Sequence, residues 1–199
     1  NEDAAKLPDL VDRRSFNDLL APTGFNVPPR EPAAALKSFK LRPGFTIELV
    51  AAEPLTMDPV AFDWGADGRL WVVEMADYPL GIDGRGQPGG RVRFLEDTDG
   101  DGKYDRTTLF MENVPYPNGV KAWHKGVLVS AAPDVFYAED TDGDGKADVR
   151  KELFSDLGVP AGQPNDFNDH IVSGLKFGID GYLYISVGDK GVPKATGPD

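Results

Sequence analysis

The sequence predicts an all-β chain, part of a β-propeller with about two and a half blades in its 199 residues. Three observations predict it. Gly (23) and Pro (17) make up about a fifth of the chain, the turn-rich composition of proteins built from many short strands. A turn-plus-strand unit recurs three times, as Asp67-Gly68-Arg69-Leu70-Trp71-Val72-Val73, Lys125-Gly126-Val127-Leu128-Val129-Ser130 and Asp180-Gly181-Tyr182-Leu183-Tyr184-Ile185-Ser186. Its turn glycines stand 58 and 55 residues apart. An aspartate loop, Glu96-Asp97-Thr98-Asp99-Gly100-Asp101-Gly102-Lys103, returns 43 residues later as Glu139-Asp140-Thr141-Asp142-Gly143-Asp144-Gly145-Lys146. Each unit holds about four strands, the size of a propeller blade.

The elements follow in order. Residues 1–43 are Pro-rich and irregular, an arm with a short helix expected over Pro32–Phe39, Pro at its first position and alanines inside. Residues 44–51 read as a lone strand, with Phe45, Ile47 and Leu49 on one face, suited to be the outer strand that closes a last blade. Blade one is expected from about Asp58 to Glu112, with strands Arg91–Leu95 and Arg106–Met111 flanking its loop. Blade two runs from about Asn118 to Asp156, with Asp134–Ala138 and Val149–Phe154 in the same places. Blade three starts near Ile171 and is incomplete at residue 199. Propellers close on themselves with four to eight blades, and open sheet edges invite aggregation. The expected partners are therefore the remaining blades, on the same polypeptide or on another chain.

Bulk properties exclude several classes. A 40% hydrophobic content with three Trp is not that of a disordered chain. No apolar run approaches the length of a membrane-spanning helix. Asn1-Glu2-Asp3 begins neither a basic nor an apolar stretch, so a signal peptide is expected only as one already removed. Net charge is −12 with no cluster of Lys and Arg, which argues against nucleic acid as a partner. Eight of the aspartates sit in the two loops and point to bound divalent cations. The absence of cysteine excludes disulfides, thiolate metal sites, a Cys nucleophile and a c-type haem attachment within these residues.

The loops share the pattern D-x-D-x-D-G-x-x-D. Asp97, Asp99, Asp101 and Asp105, with the Lys103 carbonyl, make one oxygen set. Asp140, Asp142, Asp144 and Asp148, with the Lys146 carbonyl, make the other. Alternate carboxylates converge as the backbone wraps, and hard oxygens in a flexible loop suit Ca²⁺ better than Mg²⁺. Position 12 holds Thr108 or Lys151, where a helix–loop–helix calcium site has Glu, and the flanks are strands. Modest affinity and a structural role are expected, in keeping with a periplasmic or extracellular location. The competing reading is a solvated Asp-Gly turn without metal.

There are two histidines. His124, beside a tight turn, reads as an exposed turn residue. His170 follows Asp169 in a polar stretch that leads into the innermost strand of blade three, where propeller ligands bind. It reads either as a general base oriented by Asp169 or as a histidine bonded to a loop carbonyl. Asp58 and Asn118 begin the inner strands of blades one and two, as channel-mouth candidates or as turn residues.

Asp169-His170 followed by Gly174-Leu175-Lys176-Phe177-Gly178-Ile179-Asp180-Gly181-Tyr182-Leu183-Tyr184-Ile185-Ser186-Val187-Gly188-Asp189 resembles the soluble quinoprotein glucose and sorbosone dehydrogenases. These are six-bladed propellers that use pyrroloquinoline quinone (PQQ) and calcium. The resemblance implies six blades, with His170 as the base that takes the substrate hydroxyl proton. A longer stretch, residues 31–191, is similar to propeller domains described as membrane-bound dehydrogenases. It includes Leu41-Arg42-Pro43-Gly44-Phe45, Glu74-Met75, Asp77-Tyr78-Pro79 and both aspartate loops. In that family a c-type cytochrome domain often follows. The resemblance thus implies an extracytoplasmic dehydrogenase, free or membrane-attached. It would oxidise an alcohol or sugar and pass electrons to cytochrome c. The other class left open is a non-catalytic, calcium-stabilised propeller for binding or assembly, since a fold does not fix a function.

Overall fold

The structure, a computed structural model, describes residues 29–157, 172–188, 192 and 194–197. Asp169 and His170 lie outside them. The chain divides into two units, residues 1–48 and 49–199.

In the first unit, α1 (Pro32–Leu36) is a five-residue helix, with Glu31 at its N-cap and Pro at its start. It stops three residues short of Phe39. The Ser38 hydroxyl donates to the Ala35 carbonyl, which offers the backbone an alternative to continuing the helix. The expected strand from Phe45 pairs with no other strand among the described residues. Its apolar alternation is present, but a strand is defined by a neighbour, and here it has none.

The second unit is all-β, three antiparallel sheets of which none closes on itself. Sheet one has β1 (Pro59–Trp64), β2 (Leu70–Glu74), β3 (Gly90–Glu96) and β4 (Arg106–Val114), each paired with the next. Sheet two repeats this order with β5 (Pro117–Trp123), β6 (Gly126–Ala131), β7 (Asp134–Glu139) and β8 (Val149–Phe154). Sheet three contains β9 (Val172–Phe177) and β10 (Leu183–Val187). The register repeats as well. Pro59 opposes Glu74 and Pro117 opposes Ala131, and each pair is followed by a bulge.

Apolar residues from two sheets form the main core. Trp71, Val73, Val92, Phe94, Phe110 and Val114 meet Val120, Val127, Val129, Phe136 and Ala138. Trp71 packs on Phe94 and Phe110 with ring centroids 5.1 and 4.8 Å apart, contacts worth about 1 kcal/mol each beyond area burial. The Asp63 carboxylate joins the inner strands of these sheets, accepting from Lys121 Nζ (2.8 Å) and the Ala122 amide (2.9 Å). A second core links sheet two to sheet three through Leu128, Val135, Leu157, Val172 and Leu175.

Asp77 fixes the long β2–β3 connection. It is fully buried, and its Oδ2 accepts from the amides of Gly89 (3.2 Å) and Tyr116 (2.9 Å), while Oδ1 has no partner among the described residues. It thereby ties that connection to the β4–β5 turn. Removing a buried acceptor costs about 1–3 kcal/mol. Asp77→Ala is expected to lower the urea midpoint accordingly with the m-value unchanged; an unmoved midpoint would show that the tie carries no stability.

Candidate metal centres and the inner-strand ends

Each aspartate loop joins the third and fourth strands of its sheet. In the first loop the Asp97 carboxylate accepts from the amides of Gly100 (2.7 Å) and Gly102 (2.9 Å). Asp99 accepts from the Asp101 amide, and Asp101 from the Lys103 amide. The second loop repeats each bond: Asp140 to Gly143 (2.6 Å) and Gly145 (2.8 Å), Asp142 to Asp144, Asp144 to Lys146. This winding needs positive φ at Gly100, Gly102, Gly143 and Gly145 (78°, 87°, 83° and 87°), which glycine adopts without the strain of a Cβ.

The winding gathers like charges. One carboxylate oxygen from each of Asp97, Asp99 and Asp101 lies within 4.8 Å of the others, and so does one from each of Asp140, Asp142 and Asp148. Asp105 turns back to Thr98, accepting from its hydroxyl (2.7 Å) and amide (3.2 Å); Asp148 does the same with Thr141. The Asp97 carboxyl is held below the usual carboxylate range, mainly by the Gly102 amide and also by Gly100. For Asp140, desolvation pushes upward, but the amides of Gly143 and Gly145 outweigh it and the net shift is downward. Both loops therefore present ionised oxygen donors near neutral pH. An all-oxygen set of this kind fits a hard divalent cation, and Ca²⁺ tolerates such irregular geometry better than Mg²⁺.

Residue eight of each loop reaches out of its own sheet. The Ala147 amide donates to the Phe110 carbonyl in β4 (3.0 Å), and the Tyr104 amide donates to the Val50 carbonyl (2.8 Å). Gly145 sits so close to Thr108 that a Cβ there would approach its methyl to 2.9 Å. The second loop is thus wedged against sheet one, and its order bears on the packing of two sheets.

The opposite ends of the sheets carry the other candidates. Asp58, exposed and at φ 49°, precedes β1. Tyr116, at φ 43°, holds the same place before β5. Asn118 lies one step further in. Its Nδ2 donates to the Val172 carbonyl (2.6 Å) and its Oδ1 accepts from the buried Ser130 hydroxyl (2.8 Å). Asn118 is thereby a latch between the inner strands of sheets two and three. His170 precedes Val172 by two residues in the chain. His124 occupies the two-residue β5–β6 turn at φ 53°, exposed, its ring against Trp123 with centroids 4.0 Å apart.

The strands separating the two ends have five to nine residues, a span of roughly 17–30 Å. Cations in the aspartate loops would be too far from the inner-strand mouths to touch a ligand there. A cation placed there could act only on the hairpins and on the packing of the sheets.

Sequence reasoning missed Glu74. It is fully buried at the end of β2, paired with Arg91 (2.7 Å) and Arg93 (3.0 Å) and accepting from Thr56 Oγ1 (3.1 Å) and the Met57 amide (2.8 Å). The available signal was a charged residue closing the apolar run Leu70-Trp71-Val72-Val73, with arginines at alternate positions of the next strand.

No curated protein and no solved structure matches the chain. A family model, described as a domain of unknown function (DUF7133), matches residues 31–197, and the chain belongs to that family.

Proposed function

We propose that the chain is a calcium-stapled run of propeller sheets forming the front of an extracytoplasmic dehydrogenase of the quinoprotein type. The observation that carries the propeller and calcium reading is the doubled aspartate loop. Both copies gather three carboxylate oxygens and tie residue eight to a carbonyl outside their own sheet. Successive sheets packed through their inner strands, in one repeated strand order, support the same reading. Calcium sites of modest affinity suit surroundings rich in calcium, as outside the cytoplasm.

The oxidoreductase part rests on the resemblance of Asp169-His170 and the strand that follows. His170 would take a proton from a substrate hydroxyl and Asp169 would orient its ring. For the quinone, the mouth residues named above offer no free cation. Asp58 is acidic, the Asn118 amide is occupied, and Arg91 and Arg93 are paired with Glu74. These residues do not fit the carboxylates of PQQ. That same observation favours the second reading, a propeller for binding or assembly without catalysis. A cytochrome c partner belongs to the first reading alone.

The deciding experiment is His170→Ala in the native polypeptide, assayed for oxidation of alcohols and aldoses with an artificial electron acceptor. Loss of a general base is expected to lower turnover by roughly 10²–10⁴-fold. Turnover that survives unchanged removes His170 from the chemistry, and a wild type without turnover favours the assembly module.

A further inference from the structure

Tyr104 and Ala147 hold the same place in the two loops, 43 residues apart. Ala147 bonds to Phe110, in the outer strand of the preceding sheet; Tyr104 bonds to Val50. Val50 therefore stands to sheet one as β4 stands to sheet two.

The packing repeats the same relation. Sheet two buries Val120, Val127, Val129 and Ala138 against sheet one. The pairing registers place Phe62, Leu70, Val72 and Leu95 at those positions in sheet one. Leu70, Val72 and Leu95 are buried beneath Ala51, Leu55 and Tyr104. Phe62 is not: it is 60% exposed, where its counterpart Val120 is 5% exposed beneath sheet one. Trp64, two residues on along β1 with its ring centroid 5.2 Å from that of Phe62, is 56% exposed. A contiguous apolar stripe on an inner strand marks an interaction face.

We infer that residues 49–51 are the outer strand of a further sheet, and that an apolar three-stranded antiparallel sheet of the same repeat seats on Phe62 and Trp64 to complete it. This rests on the propeller reading. It continues the interface already formed between sheets one and two. The amides of Leu49 and Ala51 donate no hydrogen bond among the described residues, as in an outer strand without its neighbour. A second copy supplies a poorer fit: its first two sheets already have four strands, and its third offers two among the described residues.

The test compares the 199-residue chain with the native polypeptide isolated from its source, both in calcium. In the native form the Leu49 and Ala51 amides are expected to exchange roughly 100-fold or more slowly than in the 199-residue chain. Phe62→Lys is expected to lower the native melting temperature by several degrees and leave the shorter chain unmoved. Equal exchange in both forms, with a silent Phe62→Lys, overturns the inference. So does a dimer of the 199-residue chain that Phe62→Lys converts to monomer, since that assigns the face to a second copy. A closed ring of sheets in the native protein with this face still bare overturns the inference alone. An open stack of sheets overturns the propeller reading.

Discussion

Millimolar calcium is expected to raise the unfolding temperature of the chain by roughly 10–20 °C, and magnesium at the same concentration to raise it far less. The size follows from binding linkage. At about 10 mM calcium and a dissociation constant near 10⁻⁴ M, each site adds about 2.7 kcal/mol, and two sites about 5 kcal/mol. For a chain of this length each kcal/mol moves the transition by about 2–4 °C. The expected preference for calcium rests on irregular loops of carboxylates and carbonyls, which do not impose an octahedron. Asp97→Asn and Asp140→Asn each remove about half of the gain, because each takes a charge from one site only. The pH dependence has a definite sign. The folded carboxyls of Asp97 and Asp140 lie below their usual range, so their stabilising bonds are present above the ordinary carboxylate pKa of about 3.9 and are lost as pH falls below it. Differential scanning fluorimetry with chelator, calcium and magnesium checks all of this. A melting temperature indifferent to calcium would reduce the loops to solvated turns.

What the sequence made legible depends on the range of the interaction. The strands could be read because alternation and Asp-Gly turns are local: Asp67-Gly68 and Asp180-Gly181 set tight turns, and the apolar runs after them become β2 and β10. The aspartate loops could be read because D-x-D-x-D-G places its carboxylates within one winding of the backbone. The partners of Glu74 come from two separate segments, so only the folded chain brings Thr56, Met57, Arg91 and Arg93 to one carboxylate. Asn118 was legible as an inner-strand residue, but the latch to Val172 crosses 54 residues and leaves no local pattern. The alternation of Phe45–Val50 predicts strand geometry and is silent on pairing, so this segment could be named as a strand and yet lie outside every sheet described.

Glu74→Ala destabilises the chain by about 3–5 kcal/mol, the cost of breaking a buried ion pair from one side. Glu74 has no exposed surface, and Arg91 and Arg93 are only 22% and 18% exposed, so neither guanidinium can turn fully to water once the carboxylate is gone. The Met57 amide and the Thr56 hydroxyl lose their acceptor at the same time. These groups belong to the stretch that leads into β1, so the substitution loosens the start of the first inner strand as well as the end of β2. Glu74→Gln keeps an acceptor and the side-chain volume but removes the charge that two arginines share, so it falls between wild type and Ala. Urea unfolding monitored by tryptophan fluorescence, read at fixed calcium, separates the three. Glu74→Ala within about 0.5 kcal/mol of wild type would mean that the arginines reach solvent, and that the cluster is an exposed pairing of the weak surface kind.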